Sequence, residues 1–182
     1  GDEALRTGPR ARDDFWPEDS RITRYGPDGV PTVLYEGTRE TEGVRDLRID
    51  GDVLVWGRAT SFDPATRTIQ RCALVTATRS GRAEPLDARV VRGDLPCCTV
   101  TPGAGAAAAS WYGPTASSAE RGVDLFSLLD GTRSRHAFPI ADSPRWALAG
   151  DPLWVTSTEV AVPVHPFGGA DETILLLPRA SF

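Results

Sequence analysis

Short apolar runs, interrupted every few positions by glycine, proline or aspartate, fill this chain from residue 21 onward. Within this pattern one unit occurs three times, at residues 46–56, 97–111 and 145–154: a strand, a glycine turn and a second strand that ends in tryptophan. The turn glycines are Gly51 in the first unit, Gly103 or Gly105 in the second, and Gly150 in the third. Repetition of one unit at a period of about 45 to 55 residues is typical of β-repeat proteins, in which neighbouring units bury each other's faces.

The remaining segments also predict short strands joined by tight turns. Residues 22–37 predict a hairpin around the Pro-Asp-Gly turn at 27–29, because proline fixes φ and glycine tolerates a positive φ. Asp-Gly at 50–51 and at 130–131 predicts two further turns. The alanine-rich run 103–109 is predicted to be a strand, since it is too short to stand alone as a helix. Because no run of ten or more residues has helical spacing, the sequence predicts an all-β protein.

Three inner hairpins carry a family resemblance. Residues 49–56, 101–111 and 149–154 are similar to the x-D/P-G-x-x-x-x-W hairpin of TolB-like and WD40-like β-propeller repeats, and 129–132 (LDGT) matches the outer turn. The resemblance covers residues 21–178. It implies a propeller-like array of about three four-stranded antiparallel blades, either by itself or as part of a larger propeller, with a β-trefoil or a β-sandwich as the alternatives.

The number of strands has a consequence for assembly. We expect about thirteen strands, grouped as two, four, four and three, whereas propellers close with four to eight blades. An unclosed wedge leaves two lateral sheet faces bare, and exposed apolar area costs about 25 cal/mol per Å². We therefore predict that a protein partner or self-association covers these faces. The domain prediction is an irregular N-terminal arm at 1–20 and one β-repeat domain at 21–182.

Composition narrows the classes of partner. The formal net charge is −5, and all 20 basic residues are arginine, scattered through strands and turns. This lacks the basic stripe that binding of a phosphate backbone requires, so no nucleic acid is expected as a partner. The longest apolar candidate, residues 174–177, is far shorter than the roughly 20 residues of a membrane-spanning helix, so no membrane span is predicted.

Because methionine is absent, the chain is expected to be a processed product or an excised segment. The compartment stays open, with an extracytoplasmic or secreted location favoured.

Three cysteines allow at most one disulfide within the chain. In an oxidising compartment Cys72 is expected to pair with Cys97 or Cys98, and the alternative is three thiols that pack as small apolar groups. Their spacing matches no zinc pattern, so the sequence predicts no metal site.

Catalytic signatures are missing from the sequence. A GxSxG elbow is absent, and the only candidate general bases are His136, predicted on a solvated outer strand, and His165, predicted in a long loop. The carboxylate pairs Asp13-Asp14, Asp50 with Asp52, and Asp171-Glu172 are typical of solvated turns. The segment Gly103-Ala104-Gly105 lacks the lysine and helix of a nucleotide site. We therefore assign no catalytic, cofactor-binding or metal-binding residue and expect no cofactor.

The tryptophans divide into two groups. Trp56, Trp111 and Trp154 recur at one place in the repeat, which favours core packing. Trp16 and Phe167 lie outside the repeat and are the candidates for contact with a partner. Together these observations predict a non-enzymatic protein-binding, peptide-binding or scaffold module. The alternative is a segment of a propeller-fold hydrolase or lyase whose catalytic residues lie mostly elsewhere.

Overall fold

The computed structural model describes residues 4–8, 21–37, 43–63, 65, 68–79, 85–96, 98–112, 121–138, 146–166 and 171–182. Within these ranges the regular elements are β-strands, apart from a 3-10 turn at Arg179–Ser181. The predicted all-β class is therefore confirmed. The chain divides into two compact units, Gly1–Cys98 and Thr99–Phe182.

Two antiparallel sheets make up the first unit. Its strands are β1 Ala4–Gly8, β2 Arg21–Tyr25, β3 Pro31–Glu36, β4 Gly43–Asp50, β5 Val53–Asp63, β6 Thr68–Thr78 and β7 Arg89–Leu95. Sheet A has the order β1-β2-β3 and sheet B the order β4-β5-β6-β7. Strand β1 pairs with β2 along its whole length. The expected irregular arm therefore contains a strand at its start, whereas residues 9–20 lie outside the described residues.

The second unit also contains two antiparallel sheets. Its strands are β8 Thr101–Gly103, β9 Ala106–Tyr112, β10 Arg121–Ser127, β11 Arg133–Phe138, β12 Trp146–Leu148, β13 Trp154–Val155, β14 Glu159–Pro166 and β15 Thr173–Pro178. Sheet C has the order β11-β10-β9-β8. In sheet D, β14 pairs with both β12 and β13 and with β15. Among the described strands no sheet closes into a barrel.

The turns follow from local chemistry. Gly29, Gly51 and Gly131 have φ values of 75°, 58° and 74°, a region that side chains with a Cβ rarely adopt. Ala104 and Gly105, with φ values of 50° and 74°, form the two-residue turn between β8 and β9. Two successive positive φ values are the signature of a type I′ hairpin turn. The alanine-rich run is thus a hairpin and a strand, as predicted, and Gly105 is its turn glycine.

In each unit the two sheets share one core. In the first unit, Ile22 of sheet A packs with buried residues of sheet B, which are Val44, Leu54, Trp56, Val75 and Ala77. In the second, sheet C supplies Ala106, Ala108, Val123, Leu125 and Phe138, and sheet D supplies Leu148, Val155, Val160, Val162, Val164 and Leu177. The expectation that neighbouring sheets bury each other's faces is therefore met within each unit.

Glycine allows the chain to cross closely over a strand at two places. A Cβ on Gly57 of β5 would overlap the carbonyl of Cys98, and one on Gly103 of β8 would overlap the carbonyl of Val155. The first crossing brings Cys98 to Cys72 of β6, and the two form a disulfide with Cα atoms 5.2 Å apart. This selects one of the two predicted pairings. Cys97 lies outside the described residues.

The third tryptophan unit differs from its prediction. Strands β12 and β13, which flank Gly150, do not form a hairpin with each other, because both pair with β14. Residues 149–153 bulge out of this interrupted edge. Pro163, whose carbonyl accepts from the N–H of Ala149, lies opposite the bulge. Proline is tolerated in β14 because it has no N–H to donate and the neighbouring strand is irregular at that point.

Candidate functional site

The two faces of sheet D have different surroundings. Val155, Val160 and Leu177 form a row across β13, β14 and β15 and belong to the core shared with sheet C. The adjacent row, Trp154, Ala161 and Leu176, points to the opposite side, because successive side chains of a strand alternate between faces. We call this opposite side the outer face.

The part of the outer face around Trp154 and Leu176 is apolar and partly exposed. Trp154 is 41% exposed and Leu176 is 48% exposed, while the short side chain of Ala161 between them is fully buried. The next row pairs Pro163 with Ile174, which is 49% exposed. An antiparallel strand with one solvated face normally alternates apolar and polar residues. Strand β15, Thr-Ile-Leu-Leu-Leu-Pro, does not alternate, and this pattern is typical of a strand covered on both faces.

Strand β11 of sheet C shows the ordinary alternative. Its sequence, Arg-Ser-Arg-His-Ala-Phe, places the exposed residues Arg133 and Arg135 on one face and the buried Phe138 on the other. Strands β11 and β15 are both edge strands among the described strands of their sheets. The edge strand β11 therefore does not share the apolar character of β15.

The histidines do not meet at one site. His136 lies on β11, where its ring contacts Phe138 and Phe182 with centroids 5.4 and 5.6 Å away, and its Nδ1 lies 3.3 Å from the carbonyl oxygen of Ser181. The side chain is partly exposed, and its ring packs against these two aromatic residues. His165 lies within β14 and not in a loop. It is on the outer face of sheet D, whereas its neighbour Val164 is on the core face.

The three repeat tryptophans do not share one environment. Trp56 is fully buried and Trp111 is 7% exposed, in agreement with core packing. Trp154 is an exception, because it lies on the outer face and remains partly exposed. The predicted partner contacts Trp16 and Phe167 lie outside the described residues.

A buried ion pair in sheet C was not found from the sequence. Asp124 is fully buried on β10, and Arg135 on the adjacent β11 donates to both of its carboxylate oxygens. The guanidinium also lies 4.2 Å from the ring centroid of Trp111. An Asp flanked by Val and Leu in a strand is the only sequence signal for it.

The acidic pairs lie in separate places. Asp50 and Asp52 lie at the β4–β5 turn, and Asp171-Glu172 immediately precede β15 and are exposed, whereas Asp13-Asp14 lie outside the described residues. Within the described part of the chain, no three His, Cys, Asp or Glu side chains are grouped so that they could hold a metal ion.

The sequence patterns also did not predict the exposed apolar residues of the outer face. Ile174 and Leu176 stand out in the sequence only as part of the longest apolar run. The signal that identifies them is the absence of alternation in a strand of an antiparallel sheet.

Comparison of the chain with protein-family models, curated proteins and solved structures finds no match. The resemblance to TolB-like and WD40-like repeats therefore stays a prediction. In the ranges that the structure describes, no helix is long and apolar enough to cross a membrane.

Proposed function

We propose that this chain is a non-enzymatic binding or scaffold module of propeller-like β-sheets, and that a protein partner with an apolar β-sheet face covers the outer face of sheet D. The observation that carries the proposal is the row Trp154, Ala161 and Leu176, extended by Ile174. These side chains lie on the paired strands β13, β14 and β15, so a second sheet can pack against them at the usual spacing of about 10 Å.

The energy available from this face is moderate. Full burial of one large apolar side chain contributes about 1.5–3 kcal/mol, so covering the exposed halves of Trp154, Ile174 and Leu176 would contribute about 2 to 4 kcal/mol. Association costs at least about 4 kcal/mol in lost translational and rotational freedom. The outer face therefore needs additional contacts beside it for stable binding, as expected of one part of a larger interface.

The propeller-like arrangement is part of the same proposal. Sheet B and sheet C are each four-stranded and connect consecutive strands as neighbours, which is the connectivity of a propeller blade. The glycines at the crossings, Gly57 and Gly103, permit close approach of the chain to a sheet face. The Cys72–Cys98 disulfide supports an oxidising, extracytoplasmic compartment, because disulfides rarely persist in a reducing cytosol.

The proposal is tested with a polar variant of the outer face. Trp154→Thr combined with Leu176→Thr removes the exposed apolar groups while keeping residues that favour strands. The matched control is Leu129→Ser, which removes a 79% exposed leucine at the β10–β11 turn. The wild-type chain, the double variant and the control serve as baits for isolation of partners from the source cells, followed by light scattering of each reconstituted pair.

We expect a stoichiometric partner with the wild-type chain and the control, and loss of that partner with the double variant. Equal recovery with all three baits would overturn the role of the outer face. A homodimer that the double variant abolishes would replace the protein partner by a second copy. Catalytic turnover that is lost in His136→Ala or His165→Ala would overturn the non-enzymatic assignment.

A further inference from the structure

The main chain of β15 pairs with β14 on one side, and no strand in the described ranges pairs with its other side, which we call the open edge. The N–H of Arg179 donates to the carbonyl of Thr158 at 2.8 Å, which fixes the phase of hydrogen bonding between β14 and β15. Because bonded and non-bonded pairs alternate in an antiparallel ladder, residues 173, 175 and 177 bond to β14. The N–H and C=O groups of Ile174 and Leu176 consequently point away from β14, and no described strand pairs with them.

Sheet C shows what occupies the equivalent position in this chain. Strand β10 pairs with β9 over seven residues on one side and with β11 over six residues on the other. Strand β15 has β14 on one side and lacks a described counterpart of β11. Among the described strands, the position next to β15 that corresponds to β11 therefore has no occupant.

The composition of β15 also differs from that of a protected edge. Natural edge strands carry charged residues that discourage pairing with other chains. Strand β11 has two arginines and a histidine, whereas the four central residues of β15 are all aliphatic, and charge is found just before the strand, at Asp171 and Glu172. An unpaired aliphatic edge is a template for addition of a strand.

We infer that the open edge of β15 binds one extended strand of a partner chain, in the antiparallel direction, with basic residues at the carboxyl end of that strand. Antiparallel pairing places this end beside Asp171 and Glu172, which are exposed, so cationic side chains there are electrostatically complementary. A second copy of β15 is a poorer occupant. Pairing about a two-fold axis would place the two outer faces side by side and double the exposed apolar area.

The open edge and the outer face are separate features of β15, and the edge can bind a strand whether or not a partner covers the face. The two are separated experimentally by the atoms that each requires. The face needs side chains of Trp154 and Leu176, whereas the edge needs the main-chain N–H of Leu176.

The probe is a fluorescein-labelled, eight-residue peptide that alternates valine and threonine and ends in two arginines. Its binding to the full chain is measured by fluorescence anisotropy. Leu176→Pro removes the outward N–H, and proline is tolerated at an edge position whose N–H makes no ladder bond. Leu176→Ala is the control that keeps the N–H and shortens the side chain.

We expect the peptide to bind the wild-type chain, with affinity lowered about tenfold or more by Leu176→Pro and much less by Leu176→Ala. A peptide that ends in two glutamates should bind more weakly. In the wild-type chain, amide hydrogen exchange at Ile174 and Leu176 should be fast without the peptide and slow with it, while Leu175 and Leu177 are slow in both states. This exchange measurement does not depend on the folding of the proline variant.

Failure of the peptide to protect these two amides at millimolar concentration would overturn the inference. Equal binding to Leu176→Pro and wild type would also overturn it. A dimer of the chain that Leu176→Pro dissociates would assign the edge to a second copy, and equal binding of the acidic peptide would remove the charge preference.

Discussion

Arg135 donates two hydrogen bonds to the buried carboxylate of Asp124, from Nε to Oδ1 at 2.6 Å and from Nη2 to Oδ2 at 2.8 Å. The two residues lie directly opposite each other on β11 and β10. Asp124 is fully buried, whereas the side chain of Arg135 is 42% exposed. The charged hydrogen bonds, rather than solvent, therefore compensate for the lost hydration of the carboxylate.

Replacement of Arg135 should destabilise the chain strongly. Arg135→Met leaves the Asp124 carboxylate buried with Arg133 Nη1, 3.8 Å away, as its remaining described cation. Removing one partner of a buried pair costs about 3–5 kcal/mol, and the partial exposure of Arg135 places the expected loss at about 3 kcal/mol. The free energy of unfolding is measured by urea denaturation. Arg133→Met is the control, and an equal loss there would contradict the assignment of Arg135 as the main partner.

Addition of a methyl group at Gly122 should also destabilise sheet C. A Cβ there would overlap the carbonyl of His136 and lie 2.7 Å from Nε1 of Trp111, the residue of β9 that pairs with Gly122. Overpacking of this kind costs about 1–3 kcal/mol. Gly93→Ala is the matched control, because nothing lies within 4 Å of a Cβ at that position of β7. The midpoint of thermal unfolding should be lower than wild type for Gly122→Ala and unchanged for Gly93→Ala.

The disulfide should stabilise the first unit. Cys72 and Cys98 are 26 residues apart in sequence, and closing a loop of this length stabilises the folded state by about 3 kcal/mol in the chain-entropy model. Cys98→Ser should lower the free energy of unfolding accordingly, and Cys97→Ser should leave the bridge in place. Peptide mapping after alkylation without reduction should recover Cys72 linked to Cys98. A peptide that links Cys72 to Cys97 would contradict the assigned pairing.

Asp130 should remain ionised at a lower pH than an ordinary aspartate. The N–H of Thr132 donates to its Oδ1 at 3.0 Å, and this hydrogen bond, with smaller help from Ser127, lowers the pKa of Asp130 below 3.8. Because the pKa is lower in the folded chain, its contribution to stability is present above the unfolded value. That contribution is lost as the pH falls through the folded pKa. NMR titration of the Asp130 carboxyl carbon measures its pKa in the folded chain. A pKa at or above 3.8 would contradict the hydrogen bond from Thr132.

Much of the fold was predictable from short-range chemistry. The positive φ values of Gly29, Gly51 and Gly131 occur where turn dipeptides predicted them, because a turn is determined by residues two to four positions apart. The strand at 106–112 was predictable because alanine at this length cannot maintain a helix without tertiary contacts.

The candidate site depended on pairings between distant residues. Both β12 and β13 pair with β14, so the predicted hairpin at Gly150 became a bulged edge and Trp154 was placed on the outer face. For the same reason His165 became part of a strand, and Ala4–Gly8 became one through pairing with β2. Each outcome depends on which strand pairs with the segment, and the local sequence of a segment does not specify its pairing partner.

The sequence by itself determined the strand class, the turns and the presence of an aliphatic run at the end of the chain. Only the tertiary structure decided that Cys98 pairs with Cys72, that Asp124 is buried with Arg135, and that no described strand pairs with Ile174 and Leu176 on the side away from β14. The physical reason is that turns and strand propensity arise from neighbours along the chain. Burial, ion pairing and edge exposure arise from segments brought together across a sheet.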